Sequence, residues 1–125
     1  MQEKKIILLA SDCESSRWVY HALKEAAGIE AVILEQPVSK KELAKNRIKK
    51  TGFVPVMGQV LFSALVVPLL KLQSQKRKTY LVSKYGLNSS AINSSKIYRV
   101  NSVNDEGSLK AIQLLQPDII VVNGT

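Results

Sequence analysis

The amino-acid sequence predicts an α/β fold built on a parallel sheet, and two observations support this. Short apolar runs rich in branched residues, within Lys5–Ala10 and Asp118–Val122, are typical of strands buried on both faces. These runs alternate along the chain with segments whose apolar residues recur at helical spacing. Such alternation implies right-handed parallel crossovers. We therefore predict a Rossmann-like parallel sheet of order 3-2-1-4, with a helical insertion between strands 2 and 3.

The first helix is predicted between the first strand and about Ala27. We expect Ser15 or Ser16 to cap its start, because hydroxyl oxygens accept hydrogen bonds from the free amides of a first turn. Gly28 is a plausible residue for its end. Apolar residues at helical spacing predict its inner face, which comprises Trp18, Val19, Ala22, Leu23, Ala26 and Ala27.

The remaining strands are predicted at Ala31–Leu34, Lys96–Val100 and Asp118–Val122. A helix precedes the last strand, with Asn104 as the expected N-cap and Pro117 closing it. Its apolar face is predicted to consist of Leu109, Ala111, Ile112 and Leu115.

The insertion, residues 39–95, is expected to begin with a polar helix over Lys40–Lys50 that Thr51-Gly52 interrupts. The next eighteen residues, Phe53–Leu70, include no charge. This run is at the lower limit for a helix that crosses a bilayer, and Pro55, Gly58 and Pro68 should interrupt or limit it. We expect it to be buried in the core or in a protein–protein contact, with attachment to a membrane surface as the alternative.

The length of 125 residues suits one domain, and the charge is unevenly distributed along the chain. Between Ser39 and Lys84 there are eleven Lys or Arg against one acid, Glu42, so this segment carries +10 and the rest −2. A basic segment indicates a phosphate-rich partner or a solvated surface. The single cysteine, Cys13, excludes an internal disulfide, and we find no secretion signal. We therefore expect a cytoplasmic protein that could be membrane-associated.

Ligands of doubly wound sheets bind beyond the carboxyl ends of the strands, where the strand order reverses. Here that point lies between strands 1 and 4, so the segments 11–16 and 123–125 should meet. The first leads into a helix N-terminus, which favours anions. It has no glycine, so neither the dinucleotide fingerprint nor the P-loop pattern is present.

Cys13 and His21 belong to residue types that often take part in catalysis, but neither is predicted to do so here. The acids on either side of Cys13, Asp12 and Glu14, should oppose the lowering of its pKa by the helix N-terminus. The only histidine, His21, is expected on the solvated face of the first helix. The chain has no Cys/His cluster, and we predict no metal site.

The stretch Val100-Asn101-Ser102-Val103-Asn104-Asp105, followed by a helix and by Gln116–Thr125, resembles the formyltransferase family. Members include methionyl-tRNA, glycinamide ribonucleotide and sugar-nucleotide formyltransferases. The resemblance covers residues 4–35 in outline and 96–125 more closely. It implies that residues 1–125 are the N-terminal part of a formyltransferase-like domain. It also implies transfer of a formyl group from 10-formyltetrahydrofolate to an amine of a phosphorylated or nucleotide-linked acceptor.

The resemblance implies that Asn123, Gly124 and Thr125 begin the wall of the folate pocket. It also implies that the acceptor lies against Ser11, Asp12, Ser15 and Ser16. The catalytic Asn, His and Asp of the family follow the strand that ends here, so this chain offers no catalytic residue and is expected to be inactive alone.

The sequence is also compatible with other functions. One alternative is a non-catalytic Rossmann-like module that binds a nucleotide or nucleic acid, and another is part of a glycosyltransferase domain. An anionic membrane surface facing residues 40–78 and a second copy of the chain are further candidate partners.

Overall fold

The computed structural model describes residues 3–124 and shows the predicted α/β fold. Four parallel strands form one sheet of order β3-β2-β1-β4, which confirms the predicted order 3-2-1-4. The elements in chain order are β1 (Ile6–Ser11), α1 (Glu14–Ala27), β2 (Ala31–Glu35), α2 (Lys40–Thr51), α3 (Phe53–Tyr85), β3 (Ile97–Val100), α4 (Glu106–Leu115) and β4 (Ile119–Asn123).

The chain divides into two compact units. The sheet unit comprises the residues up to Pro37 together with those from Asn88 onward, and the insertion unit is Val38–Leu87. The sheet unit therefore contains all four strands with α1 and α4, whereas the insertion unit contains α2 and α3. Helix occupies the insertion only as far as Tyr85, so the last residues of the predicted helical insertion, 86–95, are non-helical.

The core of the sheet unit lies on the two faces of β1 and β2. Ile7, Leu9 and Ile33 pack on one face with Ala111 of α4, and the opposite face buries Leu8, Val32 and Leu34 against Tyr20 of α1. Alternate residues point to opposite faces of a strand, so both faces need cover when every residue is apolar. Each fully buried Leu or Ile contributes about 1.5–3 kcal/mol, which makes β1 and β2 the centre of stability.

Helix α1 ends at Gly28 as predicted, but it begins earlier than its serines. Cys13 occupies the N-cap, so the prediction of Ser15 or Ser16 there is wrong. The predicted inner face is also wrong in part, since Ala22, Ala26 and Ala27 are exposed whereas Ser16 and Tyr20 are buried. Tyr20 can be buried because its hydroxyl donates to the carbonyl of Asn93 at 2.6 Å.

The segment 88–95 lies along α1 and covers it with polar contacts. The indole of Trp18 donates to the Ser89 hydroxyl at 2.8 Å, and a ring nitrogen of His21 lies 3.1 Å from the Ser90 carbonyl oxygen. His21 is thus half-buried beneath this segment, contrary to the expected solvated position. The segment holds α1 against the sheet through side chains that a helical periodicity cannot reveal.

Helix α4 is capped by Asp105, whose carboxylate accepts from the Ser108 amide at 2.7 Å. The prediction of Asn104 is therefore off by one residue. Leu109, expected on the inner face, is 52% exposed, whereas Ile112 and Leu115 pack on the core with Ala111. β4 lies at one edge of the sheet, and Ile120 and Val122 on it are exposed, so the expected burial of this strand on both faces is wrong.

In the insertion unit, Ser39 caps α2 by accepting from the Glu42 amide at 3.2 Å, and Gly52 ends it, as predicted. Gly52 has a φ of 88°, which suits glycine, and it also precedes the first turn of α3. α3 continues for 33 residues through Pro68, so the expected interruption there is wrong. Pro55 lies in the first turn, where amides lack intrahelical partners in any case.

The expected burial of the uncharged run in the core is wrong as well. Among the described residues Phe53–Tyr85, only Val56 is buried. Of the helices in the described part of the chain, α3 is the one long and apolar enough to cross a membrane by length and composition.

Candidate functional site

The loop between β1 and α1 meets the end of β4 at the carboxyl edge of the sheet. From β1 the chain continues to β2 and β3 on one side and then crosses to β4 on the other side of β1, so the strand order reverses between β1 and β4. Loops on both sides of such a point diverge and leave a crevice that ligands of open α/β sheets occupy. The proximity predicted for segments 11–16 and 123–125 is thus observed over the described residues 11–16 and 123–124.

Two hydrogen bonds join the segments. The Ser11 hydroxyl donates to the carbonyl oxygen of Gly124, and the side-chain amide of Asn123 donates to the Ser16 hydroxyl at 3.0 Å. Ser16 is fully buried, so its contact with Asn123 fixes the end of β4 against the first turn of α1. Thr125, which the sequence also places here, lies outside the described residues.

Gly124 leaves the backbone accessible at this edge. Its φ is 66°, in the left-handed region that glycine adopts without strain. A Cβ built at this residue would lie 3.2 Å from the Ser11 hydroxyl, which is tighter than an ordinary contact. Conformation and close approach therefore both favour glycine here, and a flat ligand could approach the exposed peptide.

Cys13 lies at the centre of the serine hydroxyls. Its sulfur is 3.2 Å from the hydroxyl oxygens of both Ser15 and Ser16, and Ser11 is 3.7 Å away. These hydroxyls lower the pKa of the thiol from 9.0 to about 7, with Ser15 contributing most and partial burial opposing the change. The hydrogen bonds from the neighbouring serines therefore lower the pKa of Cys13, a cause that the expectation from the sequence did not include.

The carboxylate of Asp12 is engaged by two guanidinium groups. Arg17 of α1 lies 3.6 Å from one carboxylate oxygen, and Arg99 of β3 lies 3.4 Å from the other. All three side chains remain partly exposed, so the pairs are worth little in stability. The two ion pairs matter for position, because they hold the guanidinium groups of Arg17 and Arg99 beside the β1–α1 loop.

Sequence reasoning missed Arg17, Arg99 and the thiolate character of Cys13. The serines at positions 11, 15 and 16 could have indicated the lowered pKa of Cys13, since all three lie within three residues of its thiol. The Arg99 contact carried no local signal, because it depends on β3 lying two strands from β1. Within residues 3–124 there is no group of three His, Cys, Asp or Glu side chains that could hold a metal ion.

No protein-family model matches this chain, and neither the curated proteins nor the solved structures include a match to it.

Proposed function

We propose that this chain provides the N-terminal, ligand-binding part of a formyltransferase-like protein. Such a protein transfers a formyl group from 10-formyltetrahydrofolate to an amine of a phosphorylated or nucleotide-linked acceptor. The observation that carries the proposal is the meeting of the β1–α1 loop with the end of β4, where Ser11 is hydrogen-bonded to Gly124 and Ser16 to Asn123. The sequence resemblance at residues 96–125 supports it, since that stretch includes the end of β4.

The acceptor side is suited to an anion. The exposed Ser15 hydroxyl lies in the first turn of α1, where free amides and the helix dipole favour negative charge. Arg17 and Arg99 are held nearby on Asp12 and present guanidinium groups whose geometry matches phosphate oxygens. The phosphate of a bound acceptor would replace water, and in part the Asp12 carboxylate, as the partner of these two guanidinium groups.

The donor side is suited to a flat heterocycle. Gly124 has no side chain, and its peptide lies at an edge where β4 leaves Val122 60% exposed. A pteridine ring carries donors and acceptors along its rim and could pair with the exposed backbone of Asn123 and Gly124.

The proposal is tested by following backbone amide shifts of the ¹⁵N-labelled 125-residue chain during titration with 10-formyltetrahydrofolate and, separately, with UDP-glucose. We expect folate to shift the amides of Asn123 and Gly124, and UDP-glucose to shift those of Ser11–Ser16. Gly124→Ala should weaken folate binding at least about tenfold, because the new methyl group meets Ser11.

A matched control is Gly28→Ala. Gly28 also has a positive φ, 74°, but a Cβ there would have no atom within 4 Å, and it caps the far end of α1. This variant should carry similar backbone strain and bind folate normally. Shifts with UDP-glucose alone would instead favour the glycosyltransferase alternative, and the absence of folate-induced shifts at residues 123–124 would contradict the proposal.

A further inference from the structure

The first half of α3 presents apolar side chains to water on an unusual scale. Val54 is 79% exposed and Leu69 67% exposed, on a helix where a soluble core would cover them. The exposed large apolar residues between positions 53 and 72 are Phe53, Val54, Met57, Val60, Leu61, Phe62, Leu65, Leu69, Leu70 and Leu72. Burial of such side chains is the largest favourable term available to a folded chain, and here it is not realised.

These residues surround the helix instead of forming one stripe. Successive residues turn by roughly 100° about the axis. Phe53, Leu61, Phe62 and Leu70 therefore lie at about 0°, 80°, 180° and 260°. A helix that is apolar on all sides belongs inside a core or inside lipid, whereas a helix on a soluble surface has a single apolar stripe. Gln59 and Ser63, one turn apart, are the two polar side chains between Phe53 and Leu70.

Basic segments flank the apolar segment on both sides. Six of the twelve residues of α2 are Lys or Arg, and Glu42 is its one acid. On the other side, the second half of α3 carries Lys71, Lys76, Arg77, Lys78 and Lys84. Lys84 also lies over the rings of Tyr80 and Tyr85, at 5.7 and 5.6 Å. Basic side chains with tyrosines are typical of the headgroup layer of an anionic membrane.

The topology of the sheet decides how such a segment can meet a bilayer. β2 and β3 bracket the insertion and are hydrogen-bonded neighbours, with Val32 opposite Ile97. Both ends of Val38–Leu87 must then lie on the same side of any membrane. A single crossing by α3 would require α2 to return through hydrocarbon with six cationic side chains, at prohibitive cost.

We propose that the insertion unit is a monotopic membrane anchor, which buries Phe53–Leu70 in one leaflet of an anionic bilayer. The segment is about 27 Å long and about 10 Å thick, so it fits lengthwise within a leaflet of roughly 15 Å of hydrocarbon. Gln59 and Ser63 then face the headgroups, and α2 and the basic half of α3 bind anionic lipid. This anchor is independent of the chemistry proposed for the crevice.

Vesicle flotation of the full 125-residue chain tests the anchor. We expect flotation with phosphatidylcholine vesicles that contain phosphatidylglycerol, and much weaker flotation with phosphatidylcholine alone. Reversal of three charges, Lys71→Glu, Lys76→Glu and Arg77→Glu together, should weaken partitioning by at least about 100-fold at low salt. No flotation with anionic vesicles at low salt would overturn the proposal.

The apolar contribution has its own variant and control. Leu65→Asp places a charge in the leaflet and should weaken partitioning about 100-fold. Leu114→Asp alters a leucine of α4 that is 79% exposed, against 64% for Leu65, and should leave flotation unchanged. Far-UV circular dichroism verifies that all variants fold. An equal loss of flotation with Leu65→Asp and Leu114→Asp would contradict a specific role for α3.

Sidedness is measured with cysteines introduced on either side of the apolar segment, Lys45→Cys or Ser74→Cys, in a Cys13→Ser background. Both should react with a membrane-impermeant maleimide added outside preformed vesicles. Protection of either one would overturn the one-leaflet arrangement. The proposal would also be overturned if the chain formed a dimer in solution whose apolar segment stayed buried between the two copies when vesicles were added. Binding to nucleic acid without any binding to vesicles would overturn it as well.

Discussion

The thiol of Cys13 lies among neutral hydrogen-bonding groups, the hydroxyls of Ser11, Ser15 and Ser16. Ser15 and Ser16 donate hydroxyl hydrogen bonds that are stronger to a thiolate than to a thiol, because the acceptor is charged. The Ser16 hydroxyl also accepts from Asn123, which leaves its own hydrogen directed to the sulfur. The protonation of Cys13 is therefore coupled to the position of the end of β4.

We predict that the ultraviolet thiolate absorbance of the chain titrates with a midpoint of about 7. Because Cys13 is the only cysteine, the signal belongs to one group. Ser15→Ala should raise the midpoint most, since Ser15 is the largest cause of the lowered pKa. Ser74→Ala, which removes a hydroxyl that donates to the Lys71 carbonyl within α3, is the control and should leave it unchanged. A midpoint near 9 in the parent chain would contradict the geometry.

The same titration has a consequence for stability. Between about pH 7 and 9 the folded thiol is ionised while the unfolded one, with a pKa of 9.0, is protonated. The unfolded state then binds more protons, so the free energy of unfolding rises with pH over this window. The contribution is complete above about pH 9 and is lost as the pH falls through about 7, and it should disappear in Cys13→Ser.

At the scale of elements, helix α4 shows how closely spaced capping residues compete. Asn104 and Asp105 are both favourable N-cap types, but only Asp105 lies three residues before Ser108, whose amide it accepts. We predict that Asp105→Ala lowers the free energy of unfolding by about 1 kcal/mol. Asn104→Ala, the matched control, should change it by less than about 0.5 kcal/mol. Urea denaturation followed by Trp18 fluorescence measures both, and equal effects would contradict the assignment.

The strands and their order were predictable because β1 and β2 are apolar at almost every residue, which only a sheet covered on both faces explains. The inner face of α1 was not. Tyr20 is buried through a carbonyl 73 residues away, and His21 is covered by the same distant segment. Helical periodicity reports side-chain spacing along one helix, so it cannot anticipate a polar segment that packs on it from elsewhere in the chain.

The candidate site also has a part that the sequence could predict and a part that it could not. The meeting of Ser11 and Ser16 with Asn123 and Gly124 follows from strand order alone, and a sequence that predicts the order predicts the meeting. The cationic groups on Asp12 do not follow from it, since Arg99 comes from the sheet edge. The exposure of α3 was also unpredictable, because an apolar run carries the same signal whether protein or lipid covers it.

At the scale of the whole molecule, we predict that the 125-residue chain does not transfer formyl groups by itself. Formyl transfer requires a group that polarises the donor carbonyl and a base for the acceptor amine. The only histidine is engaged with Ser90, and Asp12 is paired with two arginines. Incubation with 10-formyltetrahydrofolate and an amino sugar nucleotide should give product at the rate of buffer. Faster formation, lost in Cys13→Ser, would show that the crevice alone is a catalyst.

The adjacency of β2 and β3 in the sheet also orders events during synthesis. Val32 is opposite Ile97, so about 65 further residues must be synthesised after β2 before β3 can pair with it. At about 5–20 residues per second this takes roughly 3–13 s. β1 is opposite β2 with only about 24 residues between partners, so that pair can form early. All of α3 is synthesised before β3, so the nascent chain exposes its apolar helix to lipid or chaperones while its sheet is still half built.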